Sequence, residues 1–166
     1  MDENDKFELW ATIARFDAVL ATGIFKRERV KDPLFQSAFT EAMILLHDIL
    51  QQSAKLADRI DFDDHVLDTE GTKDITDLVA KVRGACCHLG SKSRRIRDTQ
   101  SLSAFNVVAG KCTGMSLGGV QMGCEFDDDV ACWFGGHRIY IGRHILRAFD
   151  EAKVAISPHL QNLPMS

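Results

Sequence analysis

Near Ser101 the spacing of apolar residues changes period, and that change commits the chain to a mixture of helices and strands. Before it, Ile75, Leu78, Val79, Val82, Cys86 and Leu89 form a stripe with a period near 3.6, the pattern of a helix with one buried face. After it, AFNVVAG, GVQMGCEF, DVACWF and RIYIG are short, rich in β-branched and aromatic residues, and separated by the joints Gly118-Gly119 and Gly135-Gly136. These segments read as β-hairpins. RHILRAFDEAKVAI then returns to helical spacing through Ile145, Leu146, Phe149, Ala152 and Ile156, and is expected to stop before Pro158.

Upstream, residues 5–21 space Phe7, Trp10, Ala14, Asp17 and Ala21 at intervals of three and four, with Ile13 and Leu20 beside them. A second helix is expected from Asp32-Pro33, an N-cap followed by proline at the first helical position, to about Ala57. Its apolar residues include Leu34, Phe35, Phe39, Leu46 and Ile49, and Met43 and Ile44 widen the arc beyond what one packing partner needs. Either a dimer face or a centrally buried helix accounts for that width. Thr72 is the expected cap of the third helix and Gly90 its stop. The predicted fold class is α+β, mostly α. Residues 1–166 are expected to form a single domain, an antiparallel helical bundle over about 5–100 and 142–157 with a small antiparallel β-hairpin sheet, about 103–141, inserted before the last helix.

Hydrophobic residues at 45% and charged residues at 27% suit a folded globular chain. No run approaches the roughly 20 apolar residues of a membrane span, and the acidic start MDENDKFELW is unlike an export signal, so a cytoplasmic protein without membrane partners is expected. The five cysteines, Cys86, Cys87, Cys112, Cys124 and Cys132, are odd in number and lack close-paired spacing, which reads as reduced thiols. Net charge is −4, against a whole-surface nucleic-acid binder. Yet Lys73, Lys81, Arg83, Lys92, Arg94, Arg95 and Arg97 outnumber Asp74, Asp77 and Asp98 within one 28-residue window. A local basic patch on an acidic chain suggests a directed anion site.

Within that window, VRGACCHLGSKSRRIR sets Arg83 and His88 five positions apart. On a regular helix the two side chains diverge by roughly 140°, so convergence needs either a bend, for which Gly84 is the weak point, or a second copy across a two-fold axis. The pair suits cleavage of RNA phosphodiesters. A histidine titrating near neutrality can take the 2′-hydroxyl proton and return one to the leaving oxygen, while a forked guanidinium bears the extra negative charge of the transition state. This chemistry needs no metal and no cofactor. The run Lys92, Arg94, Arg95 and Arg97 could hold flanking phosphates.

At RGACCH the sequence resembles the HEPN superfamily, helical domains of bacterial toxins and defence systems whose active members carry an arginine and a histidine four to six residues apart. The resemblance implies a metal-independent endoribonuclease working as a homodimer, with Arg83 and His88 of both copies facing one cleft. It also implies a toxin or phage and plasmid defence role, with RNA as substrate and an antitoxin or neighbouring regulatory protein as restraint. Active members usually place a polar residue directly after the arginine, where this chain has Gly84. Inactive members are dimerisation or partner-binding modules, which is the alternative function.

Other groupings read as structural. Adjacent Cys86, Cys87 and His88 point about 100° apart on a helix and cannot all reach one ion. Cys112, Cys124 and Cys132 would need a ligand such as His137 to hold zinc. Arg138, Arg143, His144 and Arg147 form a second basic group, expected to pair with Asp127, Asp128 or Asp129.

Overall fold

A computed structural model describes residues 1–67, 71–88, 91–96, 105–117 and 119–160. Among them lie four α-helices, α1 (Glu3–Ala21), α2 (Phe35–Leu56), α3 (Ile75–Cys87) and α4 (Arg147–Leu160), and five strands, β1 (Asn106–Ala109), β2 (Cys112–Leu117), β3 (Val120–Cys124), β4 (Val130–Phe134) and β5 (His137–Tyr140). A π-helical turn, Ile141–Leu146, leads from β5 into α4.

The strands make two antiparallel sheets. One has the order β1-β4-β5, with Val107 opposite Cys132 and Cys132 opposite Ile139; the other is the β2–β3 hairpin. β4 is buried at all five positions because both its faces are covered. Val130, Cys132 and Phe134 face the helices, while Ala131 and Trp133 belong to a second core with Val120, Met122 and Cys124 of the hairpin and Tyr140 of β5. A strand covered on both sides loses its polar alternation, which is why DVACWF reads as continuously apolar.

This arrangement corrects the expected antiparallel helical bundle with one inserted sheet. The three-stranded sheet is a wall of the main core. Phe39 of α2 stacks with Phe134 of β4 (6.1 Å between centroids), and Phe105 lies 5.0 Å from each. The fold is α+β with helices, sheet and hairpin in successive layers. Cys112–Leu117 was not among the expected strands; its polar and small residues hide it, and Gly114 is required there because a Cβ would fall on the Met122 carbonyl oxygen.

α2 is the central helix, in contact with α1, α3 and α4. Met43 is wholly buried and Ile44 half-buried within the chain, so the wide arc serves three internal neighbours rather than a dimer face. On α1 the buried stripe is Leu9, Ile13 and Phe16, with Phe16 packed on Phe149 of α4 at 4.2 Å. The stripe through Phe7 and Trp10 is one face round and stays open, at 59% and 45% exposed. α4 continues past Pro158 to Leu160. The carbonyl left without a donor there belongs to Val154, an exposed residue near the helix end, where water can serve it.

Candidate functional site

α3 begins and ends with opposite charge. The Asp74 side chain, not Thr72, caps it by accepting from the Asp77 N–H (2.9 Å), and Arg59 holds Asp74 and Asp77 together at 2.8 Å each. Ile75, Leu78, Val79, Val82 and Ala85 fix the helix against its neighbours. At the far end the helix stops at Cys87, and His88 adopts extended backbone angles (φ −125°, ψ 112°). Gly90, the expected stop, lies outside the described residues, as do Leu89 and Arg97.

Beyond His88 the chain folds back onto the helix it has just left. Ser91 N–H donates to the His88 carbonyl (3.0 Å), Arg94 N–H to that of Ser91 (3.1 Å), and Arg94 Nε to the Ala85 carbonyl (2.7 Å). The last bond satisfies a carbonyl of the final turn, which has no partner within the helix, and puts positive charge at the negative end of the helix dipole. A 3-10 turn, Lys92–Arg94, results. Arg83, His88, Lys92, Arg94 and Arg95 are thereby gathered around one helix end.

Their environments differ. His88, Lys92 and Arg95 are exposed, Arg83 and Arg94 half-buried, and the Arg83 Nε is shielded from solvent without a hydrogen-bond acceptor. No hydrogen bond joins Arg83 to His88. α3 runs unbroken through Gly84, so the expected weak point does not bend; the departure from the helix comes at His88 itself, whose side chain is freed from the 140° restriction. His137, at the start of the strand that packs on α3, is held neutral down to about pH 4, first by burial and then by the charge of Lys81.

The second basic group is engaged elsewhere. Arg143 pairs with Asp128 (2.9 Å) and Asp129 (3.1 Å), Arg147 with Asp64 and Glu151 (2.8 Å each), and Arg138 with Glu125 (2.6 Å) while lying over the Tyr140 ring. Only Arg143 uses the 127–129 cluster expected of the group. His144 is a buried structural residue. Among the described residues, by contrast, Arg83, Lys92, Arg94 and Arg95 make no ion pair with a carboxylate.

Cys86 is pushed up to about 12, chiefly by burial, and so is a packing thiol. The described residues contain no cluster of three or more His, Cys, Asp or Glu side chains arranged to hold a metal ion. Cys132 is buried in the main core, Cys124 in the second, and Cys112 is exposed on the hairpin. No helix among the described residues is long and apolar enough to cross a membrane. No protein family, curated protein or solved structure matches the chain.

Gly84 offers a direct check on this local geometry. A Cβ built there meets nothing nearer than the Ser91 Oγ at 4.0 Å. Gly84→Ala is therefore expected to stabilise the protein by about 0.5–1 kcal/mol, the cost of glycine in a helix interior, read as a raised urea midpoint. A lowered midpoint would show that α3 is not a regular helix there.

Proposed function

We propose that the end of α3 binds RNA through its phosphates and cleaves the phosphodiester without a metal. His88 takes the 2′-hydroxyl proton and supplies one to the leaving 5′-oxygen; Arg83 bears the charge that develops on phosphorus; Lys92, Arg94, Arg95 and Arg97 hold the flanking phosphates. The observation that carries this reading is the contrast in pairing. Six of the described arginines are bound to carboxylates, whereas Arg83 on α3 and Lys92, Arg94 and Arg95 on the turn after it are without them among the described residues, Lys92 and Arg95 being exposed. The proposal rests on that chemistry, since the helical bundle implied by the superfamily resemblance is not the fold. A homodimer that brings two such ends together would supply each Arg83 with a His88 from the other copy, and an antitoxin or other regulator would restrain the activity in a cell.

Purified protein incubated with RNA in EDTA should release fragments with 2′,3′-cyclic phosphate ends. His88→Ala should slow release about a hundredfold, the lower range for loss of a general acid/base. Equal cleavage by both proteins, or none by either, removes the nuclease.

A second reading, a partner-binding module, is favoured by one feature. Phe7 and Trp10 lie 5.8 Å apart on the open face of α1, and Val154 of α4 is 73% exposed. Under it Trp10→Asp weakens association and His88→Ala changes nothing.

A further inference from the structure

The hairpin places two free cysteines opposite one another. Cys112 of β2 and Cys124 of β3 are Cα partners in the antiparallel register, which shifts by one residue at a bulge between Cys112 and Met115; the bulge keeps this pair on the face of the ribbon that carries Met115 and Met122. Directly opposed residues have Cα atoms roughly 4.5–5.5 Å apart whether or not the pair is hydrogen-bonded, inside the range of about 4.4–6.8 Å that a disulfide spans. Gly123 tightens this end further: a Cβ there would stand 2.5 Å from the Cys112 carbonyl oxygen, so only glycine lets the strands come so close.

The two thiols have unequal access. β3 lies over the sheet and β2 overhangs it, so that of the pair Met115 and Met122 the first is 57% exposed and the second 2%. Cys112 and Cys124 repeat that asymmetry, Cys112 exposed and Cys124 3% exposed, with the Cys124 thiol donating to the Phe126 carbonyl (3.3 Å). Burial pushes the Cys124 thiol upward, which keeps it protonated and leaves first reaction with a solvent oxidant to the exposed Cys112.

We propose that Cys112 and Cys124 are a peroxide-reactive dithiol that closes into a cross-strand disulfide. The Cys112 sulfur attacks hydrogen peroxide, an S–O bond forms as the O–O bond breaks, and a sulfenic acid and one water result. The Cys124 sulfur then attacks the sulfenic sulfur; the S–S bond forms, the S–O bond breaks, and hydroxide leaves with the Cys124 proton as a second water. Two thiols are oxidised and one peroxide is reduced. The closure reaches the second core, because the Gly123 carbonyl between the strands accepts the Trp133 indole N–H at 3.0 Å.

The test uses the full chain carrying Trp10→Phe, so that Trp133 is the remaining tryptophan. After hydrogen peroxide treatment the intact mass should fall by two hydrogens, and cleavage after Lys111 and Glu125 should release residues 112–125, whose only cysteines are Cys112 and Cys124, two hydrogens light until a reductant is added. Trp133 fluorescence should shift in step with the mass. Cys112→Ser, at an exposed position, should abolish both changes. A wild-type Cys112 that stops at a sulfenic or sulfinic acid, or a joined fragment containing any other cysteine pair, overturns the proposal.

Discussion

Asp129→Ala is expected to lose about 4 kcal/mol of stability, because the side chain closes the start of the turn that leads into α4 and nothing nearby can replace it. Asp129 is 4% exposed. Its Oδ1 accepts the N–H groups of Val130 and Gly142 (2.8 Å each), and its Oδ2 accepts the Arg143 N–H (3.0 Å) and the Arg143 Nη1 (3.1 Å). Two of these donors are first-turn N–H groups, which have no partner within a helix and attract negative charge. Leaving a buried donor unsatisfied costs roughly 1–3 kcal/mol, and hydrogen bonds to a charged acceptor are the stronger kind. The Arg143 ion pair adds little, since the guanidinium is 31% exposed and keeps Asp128. Asp129→Asn separates the contributions: its oxygen can still serve Val130 and Gly142, but its NH2 faces two donors on Arg143, so about half the loss should remain. Urea unfolding at pH 7 gives both numbers. A loss below about 1 kcal/mol for the alanine variant would mean that water serves those N–H groups and the carboxylate is dispensable.

The same residue shows what could be read from the sequence. FDDD beside RIYIGRHILR suggested ion pairs, and Arg143 does pair with Asp128 and Asp129. The charge pattern did not distinguish Asp129 from its neighbours, because its task is to accept backbone N–H groups brought 13 and 14 residues along the chain by the β4–β5 turn. Periodicity located α3 and four of its buried apolar residues, Ile75, Leu78, Val79 and Val82, since a helix with one buried face writes itself into its spacing. On α1 two stripes of equal period compete, and Phe7 with Trp10 was the more conspicuous; Asp17 in that stripe was the sign that it faces outward. The layer order was hidden for a different reason. Short strands state their own period but not their partners, so β1 pairing with β4 across the β2–β3 hairpin has no local signal. The cation cluster at the end of α3 was legible as composition, whereas its shape depends on Arg94 reaching back to Ala85, a contact over nine residues.

Lowering the pH from 7 to 4 is expected to cost about 3 kcal/mol through His144 alone. The imidazole is wholly buried. Its Nδ1 accepts the Tyr140 N–H (3.2 Å), which fixes the proton on Nε2, where it is donated to the Asp64 carbonyl (2.9 Å). A second proton would have to sit on Nδ1 against the Tyr140 donor and bring charge into the core. Burial, opposed by the Asp64 carbonyl and joined by the charge of Arg138, lowers the pKa from 6.5 to about 4. The sign follows from linkage. Below about 6.5 the unfolded chain takes up the proton and the folded one does not, so stability is complete above that pH, falls by about 1.4 kcal/mol per unit beneath it, and levels off near 4. His137, lowered to about 4 by the same cause, bends the curve in the same direction, as do Asp32 and Asp64, whose carboxyls are lowered by their hydrogen-bond donors. The wild-type profile therefore sums several groups, and the difference from His144→Gln isolates one. That variant should start less stable at pH 7, having lost a fitted ring, and then fall more slowly, so that the two urea-midpoint curves converge toward pH 4. Parallel curves over this range would mean that His144 takes up its second proton in the folded protein as readily as in the unfolded one, and the bond from the Tyr140 N–H to Nδ1 would have to be reassigned.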